Sequence, residues 1–231
     1  FVTGRVYDQI RMGVSYGEAN VKIASSHAGI TLGEDGATHQ TMEDIALMRA
    51  LPNMVVINPC DWTQTKNATI AAAKYDGPVY LRFGRPKVAD FMPDEPFEIG
   101  KAYVLNEGKD VTIFATGHMV WEALQAAEAL EAEGICAEVI DIATIKPLDT
   151  EAVIASAVKT GAVVVAEEHN MAGGLGELIA GVLASTSPKP IEYVNGKDQF
   201  GQSGTPAELL AAYGMDAAHI AQAAKKVMER K

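Results

Sequence analysis

The chain has 231 residues, 48% of them apolar and 21% charged, with 30 acidic against 19 basic side chains and a net charge of −11. That balance argues against nucleic acid, whose binding needs a basic face to neutralise phosphates. No apolar run of ~18 residues is present for a membrane span, and no signal-peptide pattern stands at Phe1.

Val6, Ile10 and Val14 recur at helical spacing within residues 4–17. Residues 21–25 then read as a strand, 42–51 as a helix, 54–59 as a strand, 62–75 as a helix and 79–83 as a strand. This alternation is the signature of a mostly parallel sheet with helices on both faces. Between 84 and 110 the pattern breaks at Pro86, Pro93 and Pro96 amid acidic residues, which predicts a linker over 89–109. The second half repeats the alternation, with strands at 111–116, 136–142, 162–166 and 191–194 and helices at 119–133, 174–184 and 217–229. Asp149 is placed to cap a further helix ending near Thr160. The chain is long enough for two modest cores. Cys60 and Cys136 stand alone in apolar or strand-like contexts and are expected as buried, reduced thiols.

One insertion does not fit a connector. Loops in compact domains usually run about 4–6 residues, whereas a polar segment extends from Ser25 to about Thr41 and carries His27, Glu34, Asp35, Thr38 and His39 among three glycines. Imidazoles exchange protons near neutral pH, and with a carboxylate and hydroxyls they suit a polyhydroxylated or phosphorylated substrate. A metal site or a hydrogen-bonded surface loop is the plainer alternative. Elsewhere, His118 just beyond a strand end is expected to make helix-start hydrogen bonds. Gly173-Gly174-Leu175-Gly176 lacks the third glycine of a dinucleotide fingerprint and is read as a tight turn.

The string His27-Ala28-Gly29-Ile30, followed by Gly33-Glu34-Asp35-Gly36-Ala37-Thr38-His39-Gln40, resembles the substrate loop of transketolases. The resemblance continues through Asp44–Arg49, residues 52–56 and residues 78–85, and covers essentially the whole chain. It implies two three-layer α/β/α domains: an incomplete pyrimidine-binding domain over 1–88, the linker, and a transketolase C-terminal-like domain over 110–231. It also implies thiamine diphosphate as cofactor, with Mg²⁺ held mainly by a missing N-terminal segment, and a homodimer of completed units; the composition fits a cytoplasmic enzyme part.

By position, His27 and His39 match the family's proton-handling histidines, Asp35 the carboxylate that reads the hydroxyl beside the cleaved bond, and Arg85 the arginine that grips the sugar phosphate. Phe1 and Tyr7 match aromatic residues around the pyrimidine ring, while Gly4 falls where many relatives carry another. Arg82 and Lys87 are expected as solvated charges or ion pairs. The family's Gly-Asp-Gly motif and its cofactor-activating glutamate have no counterpart, and Glu18, Glu34 and Glu43 do not match that glutamate. A chain opening on Phe inside a domain reads as a C-terminal piece that an N-terminal segment or subunit completes. Rivals on the same fold are a 1-deoxyxylulose-5-phosphate synthase and the beta subunit of a 2-oxo-acid dehydrogenase, and in a different class a non-catalytic interaction subunit.

Overall fold

The β-branched runs of the sequence become the strands of two sheets in the computed structural model, which describes all residues from Phe1 to Lys231. In the first sheet β1 (Lys22–Ser25), β2 (Val55–Ile57) and β3 (Val79–Arg82) lie parallel in the order β1-β3-β2. Side chains alternate across the faces of a strand, so Val56 and Tyr80 point to one side and Val55, Ile57, Val79 and Leu81 to the other. The first set packs with Ile10, Ile45 and Met48, from the N-terminal helical segment and α2 (Asp44–Arg49). The second packs on Ala68 and Ala72 of α3 (Trp62–Lys74). The N-terminal segment is helical as its periodicity requires, but only α1 (Tyr7–Gln9) is α-helical, and Ile10–Tyr16 widens to a π-helix. There the Ser15 carbonyl accepts from Asn53 Nδ2 at 3.3 Å, tying the segment to the turn before β2.

The second sheet has the order β4-β6-β5-β8-β9. Its first members are β4 (Tyr103–Asn106), β5 (Val111–Ala115) and β6 (Ala137–Asp141). The chain then crosses back, and β7 (Thr144–Lys146) pairs antiparallel with β2 as the fourth strand of the first sheet. β8 (Val163–Ala166) and β9 (Ile191–Val194) return to the second sheet, parallel to β5. α4 (Met119–Ala132) covers one face of it, with Val120, Ala127 and Leu130 inward. α5 (Thr150–Thr160) and α6 (Leu175–Thr186) cover the other, where Val153, Ala157, Leu175, Ile179 and Leu183 meet Phe114, Val163 and Val165. Asp149 caps α5 by accepting the Ala152 amide at 3.1 Å, as its position predicts. After α7 (Pro206–Ala212), α8 (Ala217–Met228) closes the first of these faces, and no helix is long and apolar enough to cross a membrane.

Four details differ from the sequence reading. Residues 89–109 hold β4, an edge strand with Tyr103 and Leu105 inward and Val104 and Asn106 exposed, paired antiparallel to β6. β7 was hidden inside what reads as second-half sequence. α7 begins with Pro206 at its first position, and the Glu208 carboxylate accepts from the Thr205 amide at 3.0 Å. Cys60 is buried and free, whereas Cys136 is free but exposed, because it precedes β6 at the rim of the sheet.

Candidate active site

The polar segment 26–41 leaves the carboxyl end of β1, where ligands collect in open α/β sheets. It is anchored by its apolar residues: Ala28, Ile30 and Leu32 are buried, and Ile30 and Met42 belong to the core of the second half. A 3₁₀ turn spans Ile30–Leu32, and Gly29 bridges Thr41, so the ends of the loop are drawn together. Gln40 Nε2 donates to the Ile30 and Gln202 carbonyls, each at 3.0 Å. What remains exposed is the chemistry: His27, Glu34, Asp35, Thr38 and His39.

His27 has a positive φ of 65°, and the Ser26 hydroxyl lies 2.9 Å from its Nδ1. Thr38 Oγ1 lies 3.0 Å from His39 Nδ1. In both rings Nδ1 is engaged by a neighbouring hydroxyl and Nε2 makes no hydrogen bond within the chain. His39 also meets Phe1 edge to face, with centroids 5.1 Å apart, and the Arg5 guanidinium sits 3.9 Å from the Phe1 ring centre. Phe1, Gly4, Arg5, His39 and Phe200 line a cleft of ≈ 320 Å³. His27, Asp35 and Arg85 do not line this cleft, and Tyr7 packs instead against the core around Ile10 and Met48. Arg85, just beyond β3, binds the far side of the loop, where Nη1 donates to the Leu32 carbonyl at 2.5 Å and to Glu34 Oε2 at 3.2 Å. The other nitrogens of its fork make no hydrogen bond within the chain.

Beneath the loop lies a polar layer that the sequence reading did not resolve. Arg82, expected to be a solvated charge or an ion pair, is a buried ion pair: Nε reaches Asp44 Oδ2 at 2.7 Å, with the two side chains 3% and 0% exposed. Tyr80 Oη donates to the same oxygen at 2.7 Å. Burial raises the Asp44 carboxyl, but the Arg82 guanidinium outweighs it and holds the group below the usual carboxylate range. From the second domain, Glu168 Oε1 accepts the Thr31 amide, Asn170 N donates to the Met42 carbonyl at 2.6 Å, and His169 Nε2 accepts the Ala46 amide at 3.3 Å. Glu167 accepts the Leu175 and Gly176 amides at 2.6 and 2.9 Å, so the glycine run is the start of α6, opened for a buried carboxylate. Burial pushes the Glu167 carboxyl up.

A second cleft, of ≈ 490 Å³, is formed by the start of α3 and the segment after β3, with His118 from the second half, and is lined by Trp62, Phe83, Lys87 and His118. His118 makes no cap hydrogen bond, contrary to expectation; its ring lies 3.8 Å from Glu122. No group of three or more His, Cys, Asp or Glu side chains is placed to hold a metal ion.

Residues 1–90 match the transketolase pyrimidine-binding domain and residues 100–220 the transketolase C-terminal domain. A solved structure described as a split-gene transketolase, an inactive beta4 tetramer, superposes with a TM-score of 0.93 at 49% identity, covering 99% of this chain and 74% of that one. The 6-deoxy-6-sulfo-D-fructose transketolase subunit SqwH of Clostridium sp. (strain MSTE9) is 46% identical over an alignment of 232 positions that covers 100% of this chain and 72% of that protein. An apulose-4-phosphate transketolase subunit of Phocaeicola vulgatus is 37% identical over 232 residues, covering 100% of this chain and 74% of its own. The loop with its histidines, the paired α/β domains and these matches lead to one conclusion: the chain belongs to the transketolase family and comprises its pyrimidine-binding and C-terminal domains.

Proposed function

We propose that this chain is the pyrimidine-side and C-terminal portion of a cytoplasmic transketolase, moving a two-carbon ketol unit between sugar phosphates once an N-terminal segment or subunit completes the site. The carrying observation is the loop 26–41, whose segment 28–33 is buried and bonded while His27, Asp35 and His39 are exposed. A scaffold has no need for such a division. The subunit descriptions of the relatives from Clostridium and Phocaeicola support a separate partner, and two free cysteines suit a reducing compartment.

The residues present fit one side of thiamine diphosphate. Two rings meeting edge to face, Phe1 and His39, form a wall for a planar heterocycle in a partly polar cleft. Nothing in the chain fits the diphosphate and its Mg²⁺, which this reading places on the partner, in a homodimer of completed units. When bound, thiamine diphosphate would supply the electron sink for carbon–carbon bond cleavage. The chain's own work is to handle protons and hydroxyls. Nε2 of His27 and of His39 contacts the reacting oxygens and passes protons. Asp35, free of protein partners, accepts the hydroxyl beside the cleaved bond and discriminates against the wrong epimer, which would leave polar groups unpaired. Arg85 turns the open side of its fork to the sugar phosphate, for which a planar guanidinium is suited. Tyr7 packs on the core around Ile10 and Met48, and its part in this reading is to seat the N-terminal helical segment that follows Phe1.

The test is transfer from xylulose 5-phosphate to ribose 5-phosphate with thiamine diphosphate and magnesium, with the chain alone and with its N-terminal partner. Activity only in the completed assembly supports the reading. Pyruvate consumption instead of ketose consumption selects the synthase or dehydrogenase alternative, and no turnover with either leaves the interaction subunit. His39→Ala and His27→Ala are each expected to lower kcat by about 10²–10⁴-fold, the usual worth of a positioned acid or base. Both side chains are exposed, so size-exclusion chromatography should show unchanged assembly. A variant with normal turnover per complex would remove that histidine from the mechanism.

A further inference from the structure

Glu168 follows β8 in the second domain, yet its side chain ends on the loop of the first. The residue is 2% exposed, and its Oε1 accepts the Thr31 amide at 2.5 Å. A Cβ at Gly29 would stand 2.2 Å from that oxygen, so only glycine lets the carboxylate reach the backbone between His27 and Asp35. Gly29 also has a φ of 84°, in the region that glycine favours. The peptide carrying Glu168 is held in turn, because its carbonyl accepts from Arg82 Nη2 at 2.9 Å. A charged acceptor makes a hydrogen bond roughly twice as strong as a neutral one. It acts here at the centre of the loop, between the Ala28 amide that donates to the Phe83 carbonyl at 3.0 Å and the Leu32 carbonyl that accepts from Arg85, and it is the one side chain of the second domain that accepts from this stretch of backbone.

We infer that Glu168 is a positioning residue for ketol transfer: through the Thr31 amide it fixes the backbone on which His27, Asp35 and His39 stand, without touching substrate. The second domain thereby takes part in the chemistry of the first. This rests on the transferase reading above, and the experiment separates the two.

Three versions of the completed assembly are compared: wild type, Glu168→Asp and Glu168→Gln. Aspartate keeps the charge but withdraws the carboxylate by roughly 1.5 Å, one carbon–carbon bond. Glutamine keeps the reach and a carbonyl acceptor. E168D is expected to lower kcat by about 10–100-fold, the scale of an ångström misplacement, with KM for the sugar acceptor within about threefold of wild type. E168Q should recover kcat to within about threefold. Hydrogen exchange in peptides covering 26–41 should quicken in E168D and not in E168Q. Normal turnover per assembled complex in E168D, or loss of kcat in E168Q equal to that in E168D, overturns the inference. Should wild type consume pyruvate rather than a ketose, the transferase reading fails and the same comparison is made with pyruvate. Should it consume neither, unchanged loop exchange in E168D overturns the positioning role by itself.

Discussion

Replacing Arg82 by alanine is expected to destabilise the chain by about 3–5 kcal/mol, the usual cost of breaking a buried ion pair from one side. The guanidinium makes three bonds inside the protein, to both Asp44 oxygens and to the Glu168 carbonyl. Removing it leaves a fully buried carboxylate with the Tyr80 hydroxyl as its hydrogen-bond partner. In wild type the Asp44 carboxyl is held below its ordinary value. Its contribution is therefore present above the unfolded value and is lost only as pH falls through the lowered one. In Arg82→Ala burial acts without that opposing charge, so the carboxyl titrates higher and the variant's deficit grows as pH rises from acid toward neutrality. Urea unfolding of wild type, R82A, D44N and R82A/D44N at two pH values measures this. The double variant should lose less than the sum of the single ones, and a deficit in R82A that is independent of pH would refute the account.

The second large effect has the opposite sign. Asp141 is fully buried at the end of β6, where Oδ2 accepts Gln64 Nε2 at 2.5 Å and Oδ1 has no partner. Burial, with a smaller push from Asp61, raises its carboxyl to about 7. The folded chain keeps a proton that the unfolded chain releases between about pH 4 and 7, so stability falls as pH rises across that window and is flat above it. Asp141→Asn imitates the protonated form at every pH. It should be more stable than wild type at pH 8, by an amount bounded on the order of 4 kcal/mol, and near wild type at pH 4. Burial also raises Glu167, so part of the slope should survive in the variant. Denaturant midpoints at pH 4.5 and 8 decide the matter: a variant no more stable than wild type at pH 8 would show that the carboxylate is better solvated than its burial implies.

The strands that build the two cores were legible because they are short apolar runs buried on both faces, as Val55–Ile57 and Val163–Ala166 are. β4 was not, because an edge strand with one open face follows a proline-rich stretch and carries polar and charged neighbours. β7 was not, because three residues have no periodicity and their partner β2 lies some ninety residues earlier. The start of α7 was available in Thr205-Pro206 with Glu208 three residues on. In the site, the exposed residues announced themselves by density of function in one loop. Their support did not, since Glu168 and Thr31 are separated by 137 residues. Arg82 next to Leu81 could be read as surface or buried until Asp44 was placed opposite it. Sequence names the groups that face a substrate more readily than those that face each other.

The passage of Thr144–Lys146 into the first sheet bears on synthesis. A nascent chain that has emerged only through β3 can pair three strands, but one side of β2 stays open until more than sixty further residues have followed. An unpaired strand edge is a template for association with other chains. The N-terminal unit therefore finishes folding only after much of its neighbour exists, and cutting the gene within residues 84–102 would yield a first fragment with an adhesive edge. Where such a family divides its polypeptide in two, this interlock disfavours a break between β3 and β7.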